Sequence, residues 1–472
     1  MIPVSPLDVF ILTFNAGKAP IDPSIFAYHL GNAFSENATD LPDLVVFCLQ
    51  EMAPLANSFI GSYMISPFFQ GYAAAVNIAA SNSVQSQKNP GQRQYADGSQ
   101  DSLYTLIASR NVGMTGIMLF ARDPTAVHDL QSTEVGFGAG SMANKGAVGL
   151  RLLFERKNAG QKRSTELTFV STHLAAQEWN LARRNRDWQS IVTGLLFQDP
   201  SKLHGSKAMN PTGHTLKNGD ETEALLSEER TEKTLHDITI YKPGTQLFVG
   251  GDLNYRLSKT SPTSSSVFPD LNPQSPNHFR HFLVWDQLNI EKTAGRTLHG
   301  LTEAPIRFPP TYKLDMVDED EALDRPNDDS ALHVVPWKWA SHRWPGWCDR
   351  ILYLDTPIWA MNPENRIINV AYNALPPVRT SDHRAVFLRL AVPVVEPAAL
   401  MPPKEARSSY PKDPRVKLPY PVDFQAWEHR AQVKKWEPLI GWSMLISQSK
   451  KGIAFFVTLF LIGLGTWWLR SR

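Results

Sequence analysis

Strand-like, largely apolar runs recur along this chain. They fall at positions 9–14, 44–49, 115–120, 147–154, 167–171, 246–249, 350–353 and 385–391. Several are apolar throughout, the pattern of strands covered on both faces. Between Leu174 and Phe197 the period changes. Leu181, Trp188, Ile191, Val192 and Leu195 share one side of a helix, with Arg183, Arg184 and Arg186 nearby. Strands interleaved with helices over roughly 390 residues predict an α/β (α+β) fold of two sheets packed face to face with helices outside. Segments 80–101, 201–232, 259–277 and 315–329 are polar and read as surface insertions. From 393 to 421 prolines recur with Lys and Glu, which predicts a semi-extended linker. No internal repeat is evident.

The final apolar run is of another kind. Residues 452–469 carry no charge and have about the length that crosses a bilayer core with slight thinning. Lys450 and Lys451 precede the run, Arg470 and Arg472 follow it, and Trp467 and Trp468 sit where an interfacial anchor belongs. A core helix seldom lacks polar residues on every face. The run therefore predicts a transmembrane tail anchor, with the preceding bulk in the cytosol. At the other end, the first residues lack a basic region and include Pro3 and Pro6. The apolar run at 9–14 is too short for a signal-peptide core.

Composition narrows the function classes. A hydrophobic fraction of 42% with 10% aromatics belongs to a folded globular protein. The net charge of +1 provides no global field for nucleic acid, so any anion site must be local. Two cysteines, Cys48 and Cys348, exclude a disulfide framework and a Cys-rich zinc site, and fit a reduced, cytosol-facing protein.

Candidate chemistry sits at the strand ends. The run at 246–249 continues into Gly250-Gly251-Asp252-Leu253-Asn254-Tyr255-Arg256, which delivers a carboxylate, an amide and a guanidinium at one tip. Packing explains such an ending poorly. Asp252 is placed to take a proton from water, and Asn254, two residues on, to hold an oxyanion. Asn15 follows the first strand, and Gln50-Glu51 ends the second, where a carboxylate is a hard-cation ligand candidate. Ser171-Thr172-His173 ends another strand, Cys348-Asp349-Arg350 opens one, and Ser381-Asp382-His383-Arg384 precedes the last. Any one of these is a capped turn as readily as a catalytic unit. Together they supply the parts for metal-assisted hydrolysis of a phosphate ester.

A cationic set accompanies them. Gly140-Ser141-Met142-Ala143-Asn144-Lys145-Gly146 is a small-residue loop with one Lys, suited to an anion but without the spacing of a nucleotide P-loop. Pro309-Pro310-Thr311-Tyr312-Lys313 is a rigid turn that presents an aromatic ring and a Lys, and Arg350 adds another cation.

In this order Asn15, Glu51, the 141–148 loop, His173, GDLNYR at 251–256, PPTYK at 309–313, WCDRIL at 347–352 and SDHRAV at 381–386 resemble the inositol polyphosphate 5-phosphatases of the endonuclease/exonuclease/phosphatase superfamily. The resemblance covers roughly residues 7–391. It implies the DNase I-like sandwich, with Mg²⁺ bound by Glu51 near Asn15. Asp252 would orient or deprotonate the attacking water, Asn254 and His173 would contact the scissile phosphate, Asp349 would hold His383, and Asp382 would complete the polar floor. Lys145, Asn144, Tyr312, Lys313 and Arg350 would bind substrate, chiefly the neighbouring 4-phosphate. Ala143 stands where the family's loop usually has Gly.

These expectations divide the chain into a catalytic domain at 1–392, a Pro-rich linker and juxtamembrane segment at 393–450, and a membrane span at 452–469. They describe a monomer without nucleic-acid partners, anchored in the endoplasmic reticulum membrane or alternatively the mitochondrial outer membrane. Its expected substrate is the lipid phosphatidylinositol 4,5-bisphosphate. A nuclease or sphingomyelinase-like phosphodiesterase of the same superfamily, and a phosphatase for soluble inositol phosphates, are the competing readings. The extra cations argue against a diesterase, because a diester needs no pocket for a second monoester phosphate.

Overall fold

In a computed structural model, the structure describes residues 5–88, 102–138, 142–158, 161–203, 231–323 and 335–471. Ser141 and most of the segment read as an insertion at 201–232 lie outside those residues.

Two six-stranded sheets form the body. The first runs in the order β13(Ile368–Ala374), β14(Val386–Val392), β1(Leu7–Asn15), β2(Leu44–Gln50), β4(Thr115–Ala121), β3(Thr105–Val112). The second runs β5(Val127–Gly136), β6(Gly146–Asn158), β7(Gln161–His173), β8(Thr245–Asp252), β12(Asp349–Leu354), β9(Leu301–Thr302). A small ribbon pairs β10(Leu314–Met316) with β11(Trp337–Trp339). Seven of the eight runs lie within strands, and the eighth, at 385–391, starts one residue before β14.

Side chains alternate along each strand, and the alternation builds the layers. Val9, Ile11, Val46, Phe169, Phe248 and Ile351 face inward and pack the sheets together. Phe10, Leu12, Val45 and Phe47 face outward beneath α1(Pro23–Ser35) and α3(Ser66–Lys88). Val170, Leu247, Val249 and Leu352 face the other way, against Trp188 and Ile191 of α4(Leu181–Gly194). Asp22 starts α1 by accepting the backbone N–H groups of Ser24 and Ile25, with Pro23 at the first helical position. The segment read as an insertion at 80–101 begins as the last turns of α3.

Beyond β14 the chain departs from a free linker. Trp359 donates to the Leu400 carbonyl at 3.1 Å, and Arg415, nearly buried, donates to the Asp355 carbonyl at 2.7 Å. His236 meets the Pro414 carbonyl at 2.9 Å. The prolines at 393–421 thus mark a strap packed along the body, because proline favours extended backbone whether or not the segment is held.

The strap leads into α5(Ala426–Gln448), which packs on the short helix α2(Leu55–Ile60). A β-carbon at Gly441 would stand 2.8 Å from the Ala56 carbonyl oxygen, so the two helices meet backbone to backbone. One residue, Ser449, separates α5 from α6(Lys450–Arg470). Among the described residues no helix is long and apolar enough to cross a membrane. Within α6 the side chains at 450, 451, 455–457 and 459 lie outside that description.

Candidate active site

The carboxyl ends of β1 and β2 and of β7 and β8, two parallel pairs, meet the starts of β12 and β14 at one edge of the sandwich. The register places His173 opposite Asp252, and Asp252 opposite Asp349. The period of two that turns Phe169, Phe248 and Ile351 into the core turns these three polar residues into the same crevice.

Asp252 is the hub and is 1% exposed. Its Oδ2 accepts from Asn15 Nδ2 at 3.0 Å and lies 3.2 Å from His173 Nε2 and 3.9 Å from His383 Nε2. Its Oδ1 accepts the backbone N–H of Asn254 at 3.1 Å. Burial works against this charge, but His383, His173 and Lys145 outweigh it and hold the carboxyl far below the usual carboxylate range.

His383 is oriented by Asp349, whose Oδ2 lies 2.8 Å from His383 Nδ1 and also accepts Thr311 Oγ1 at 2.7 Å. Ser381 ties the site to the first sheet: its hydroxyl donates to the Asn15 carbonyl at 2.5 Å and accepts the His383 N–H at 3.0 Å. Burial disfavours the His383 cation, yet Asp349 and Asp252 lift its pKa to about 9. His173 goes the opposite way, lowered by burial and by the Lys145 ammonium that meets its Nε2. The floor therefore sets an anionic Asp252 between two imidazoles whose pKa values are pushed in opposite directions.

Lys145 belongs to this floor and not to an outer phosphate pocket. Burial lowers its pKa to about 8, against the pull of Asp252 and Glu51. Ala143 is fully buried, its carbonyl turned onto Gly113, where a β-carbon would fall 1.5 Å from that oxygen. With glycine on the facing turn, alanine fits the loop. Asn144 is exposed at the turn, outside the buried cluster.

At the mouth, the Tyr312 ring lies 4.6 Å from the His383 ring. Lys313 pairs with Asp382 at 2.5 Å. The Asp382 side chain is 34% exposed, which puts it at the rim and not in the floor.

Arg350 is elsewhere. Neighbouring residues on a strand point to opposite faces, so Asp349 in the crevice sends Arg350 behind the sheet. There it is fully buried, bidentate to Glu303 at 2.6 Å and 3.0 Å from Asp286. It binds carboxylates of its own chain and is not available to the 4-phosphate.

Two contributors were missed as site residues, although both lie inside quoted motifs. Thr311 fixes Asp349. Arg256 is 2% exposed and grips both the carbonyl and side-chain oxygens of Asn254 while its guanidinium lies 4.2 Å over Tyr312. The Asn254 amide nitrogen also donates to the Leu174 carbonyl at 3.2 Å. Glu51 and Asn254 take the left-handed backbone, with φ of 44° and 56°. Non-glycine residues adopt it at a cost and commonly at functional sites.

The donor set suits a hard cation. Ligand atoms of Asp252, Asp349 and His383 lie within 4.8 Å of one another, but a protonated His383 has no lone pair for a cation, which leaves the carboxylates as donors; Asp349 Oδ1 is buried without a hydrogen-bond partner among the described residues. Glu51, paired with Lys18 at 3.0 Å, is held ionised against burial by His173 and Lys18. Carboxylate and amide oxygens are the ligands that Mg²⁺ or Ca²⁺ prefers.

The chain is thus a two-sheet sandwich with carboxylates and imidazoles gathered at one strand edge. A family model described as Endonuclease/Exonuclease/phosphatase family 2 matches residues 12–389, and the chain belongs to that family. Its relatives include the type I inositol polyphosphate 5-phosphatase 13 of Arabidopsis thaliana, 27% identical over 61% of this chain and 23% of that protein. The phosphatidylinositol 3,4,5-trisphosphate 5-phosphatase 2B of Danio rerio is 26% identical over 66% of this chain and 21% of that protein. The chain thus spans less than a quarter of the length of these two relatives. Among solved structures it is similar to the inositol polyphosphate 5-phosphatase domain of SPsynaptojanin, solved with inositol (1,4)-bisphosphate and calcium ion. That likeness is 21% identity, 81% of this chain, 83% of the other and a TM-score of 0.49.

Proposed function

We propose that this protein is a Mg²⁺-dependent phosphoinositide 5-phosphatase. It converts phosphatidylinositol 4,5-bisphosphate to phosphatidylinositol 4-phosphate, working as a monomer at the endoplasmic reticulum membrane. The observation that carries this reading is the buried, ionised Asp252 between His173 and a cationic His383, with Lys145 inside and Lys313 at the mouth. The names of its relatives, inositol polyphosphate 5-phosphatases, agree with it.

Asp252 accepts a hydrogen bond from the attacking water and aims it at phosphorus; a carboxylate held this acidic serves better by orientation than as a strong base. His383, fixed by Asp349, and Lys145 donate to phosphoryl oxygens as negative charge shifts onto them. A Mg²⁺ held by Glu51, with Asn15 and Asp252 alongside, would neutralise those oxygens and help position the water. Lys313, and Tyr312 beside it, contact the adjacent 4-phosphate, since a monoester dianion selects point charges beyond the reacting centre.

Membrane attachment is supported by exposed apolar surface at the end of the chain. Trp436, Leu439, Trp442 and Ile446 line the outer side of α5, and Phe460, Leu461, Ile462 and Trp467 stand out from α6. Such a stripe suits the headgroup boundary.

Phosphate release from short-chain phosphatidylinositol 4,5-bisphosphate, with Mg²⁺ and with chelator, tests the proposal. Soluble inositol 1,4,5-trisphosphate and a phosphodiester run as parallel arms. Mg²⁺-dependent release from the lipid is expected. Hydrolysis of the diester alone would overturn the reading in favour of a phosphodiesterase, and release confined to the soluble substrate would overturn the lipid assignment.

A further inference from the structure

The helix α5 reaches the catalytic floor through one side chain. Glu437 is 5% exposed, and its Oε1 accepts the backbone N–H of Ala143 at 3.1 Å across 294 positions of sequence. Ala143 stands two residues before Lys145, whose ammonium meets His173. The residues on either side of Ala143 are pinned to the end of β5: the Phe137 N–H donates to the Lys145 carbonyl and the Gly138 N–H to the Met142 carbonyl, both at 2.9 Å.

Glu437 is itself fixed. Arg430, two turns back on the same face of α5, donates to both of its oxygens at 2.6 and 2.8 Å and also to Glu134 of β5 at 3.0 Å. A buried carboxylate with one backbone N–H and a bidentate guanidinium has its lone pairs satisfied, which is the condition for such a group to hold geometry. The same helix rests on α2, which begins four residues after Glu51. One element therefore contacts the Lys145 loop directly and also the helix that follows Glu51.

We infer that Glu437 is a positioning residue for the Lys145 loop, and that α5 is a working part of the catalytic body and not a spacer. The effect on catalysis rests on the phosphatase reading above; the loop contact does not. Glu437 fixes the Ala143 peptide, whose other side is backed by Gly113, and so sets where the Lys145 ammonium stands relative to His173 and Asp252.

Two variants of similar size separate this role from packing: Glu437→Gln keeps an oxygen that accepts the Ala143 N–H, and Glu437→Met removes it. Glu134 remains to neutralise Arg430 in both. In the full chain, amide hydrogen exchange should be slow at Ala143 in the wild type and in Glu437→Gln. In Glu437→Met it should be faster by about ten- to a hundredfold, as expected for a lost charged or polar hydrogen bond. Hydrolysis of short-chain phosphatidylinositol 4,5-bisphosphate should fall by about tenfold in Glu437→Met and be largely restored in Glu437→Gln, because catalysis is sensitive to small misplacements. Fast exchange at Ala143 in the wild type, or equal damage by Gln and Met, would overturn the inference, and the wild-type measurement decides it even if Glu437→Met fails to fold. If the wild type hydrolyses nothing, the phosphatase reading fails while the exchange data still decide the contact.

Discussion

Asp252 and Arg350 lie on adjacent strands, and both are buried and charged, yet their removal should read out differently. Asp252→Asn takes away the charge that Asn15, His173 and His383 surround while leaving the shape of the crevice. Turnover should drop by about 10²–10⁴-fold with the melting temperature little changed. A steady-state assay beside a thermal melt checks this, and retention of a tenth of the activity would remove Asp252 from the chemistry. Arg350→Met leaves Asp286 and Glu303 facing each other, buried and without their cation. Breaking a buried pair in that way costs about 3–5 kcal/mol, so this variant should be unstable in urea and show no selective loss on 4,5-bisphosphate over a 5-monophosphate. Lys313→Ala should do the reverse. It frees Asp382 at a half-open rim, where little stability is at stake, and should weaken the bisphosphate in particular. Equal losses on both substrates would assign Lys313 to the scissile phosphate or the fold.

Elements were legible wherever burial was complete. β1, β2, β4 and β8 are covered on both faces, so their central positions are almost all apolar and the runs stand out. β5 has an outward face that is largely exposed, and its mixture of His, Asp, Gln and Glu hides it. α1 was passed over in the sequence, because its apolar residues blend with those around it, although Asp22-Pro23 caps its start. The inward side of α5 buries Arg430, Glu437 and Gly441, so no hydrophobic period marks it, and Pro438 argues against a helix at all. Motif strings found the floor because its chemistry needs particular residue types. They misplaced Arg350, since a string gives neighbours along the chain and not the face each one takes. The strap also carries its own titration. His236 is buried against the Pro414 carbonyl, and burial lowers its pKa below the ordinary 6.5. The unfolded chain then binds the proton more readily, so stability from this contact is present above pH 6.5 and is lost as the pH falls through the folded value. Melting temperatures from pH 8 to 5 should decline in the wild type, and His236→Gln should flatten that part of the slope; an unchanged slope would mean other groups carry it.

At the scale of the whole molecule, the polypeptide after β14 belongs with the body as far as α5. Deleting residues 452–472 should leave a phosphatase active on short-chain lipid that no longer sediments with membranes after a high-salt wash. Deleting residues 426–472 removes Glu437 and the cover over α2, and should cost activity on the same soluble substrate. If the two truncations behave alike, α5 is a passive connection.

The joint between α5 and α6 is the single residue Ser449, which can span only about 3.5 Å. If α6 enters lipid, as the proposed membrane attachment requires, the hold of α5 on the body would keep the crevice at a fixed height and tilt above one leaflet. Encounter with a lipid substrate would then be lateral diffusion in a plane. Its rate would follow the mole fraction of the lipid in that leaflet and not its amount per volume of cytosol, and a headgroup on a facing membrane would be beyond reach.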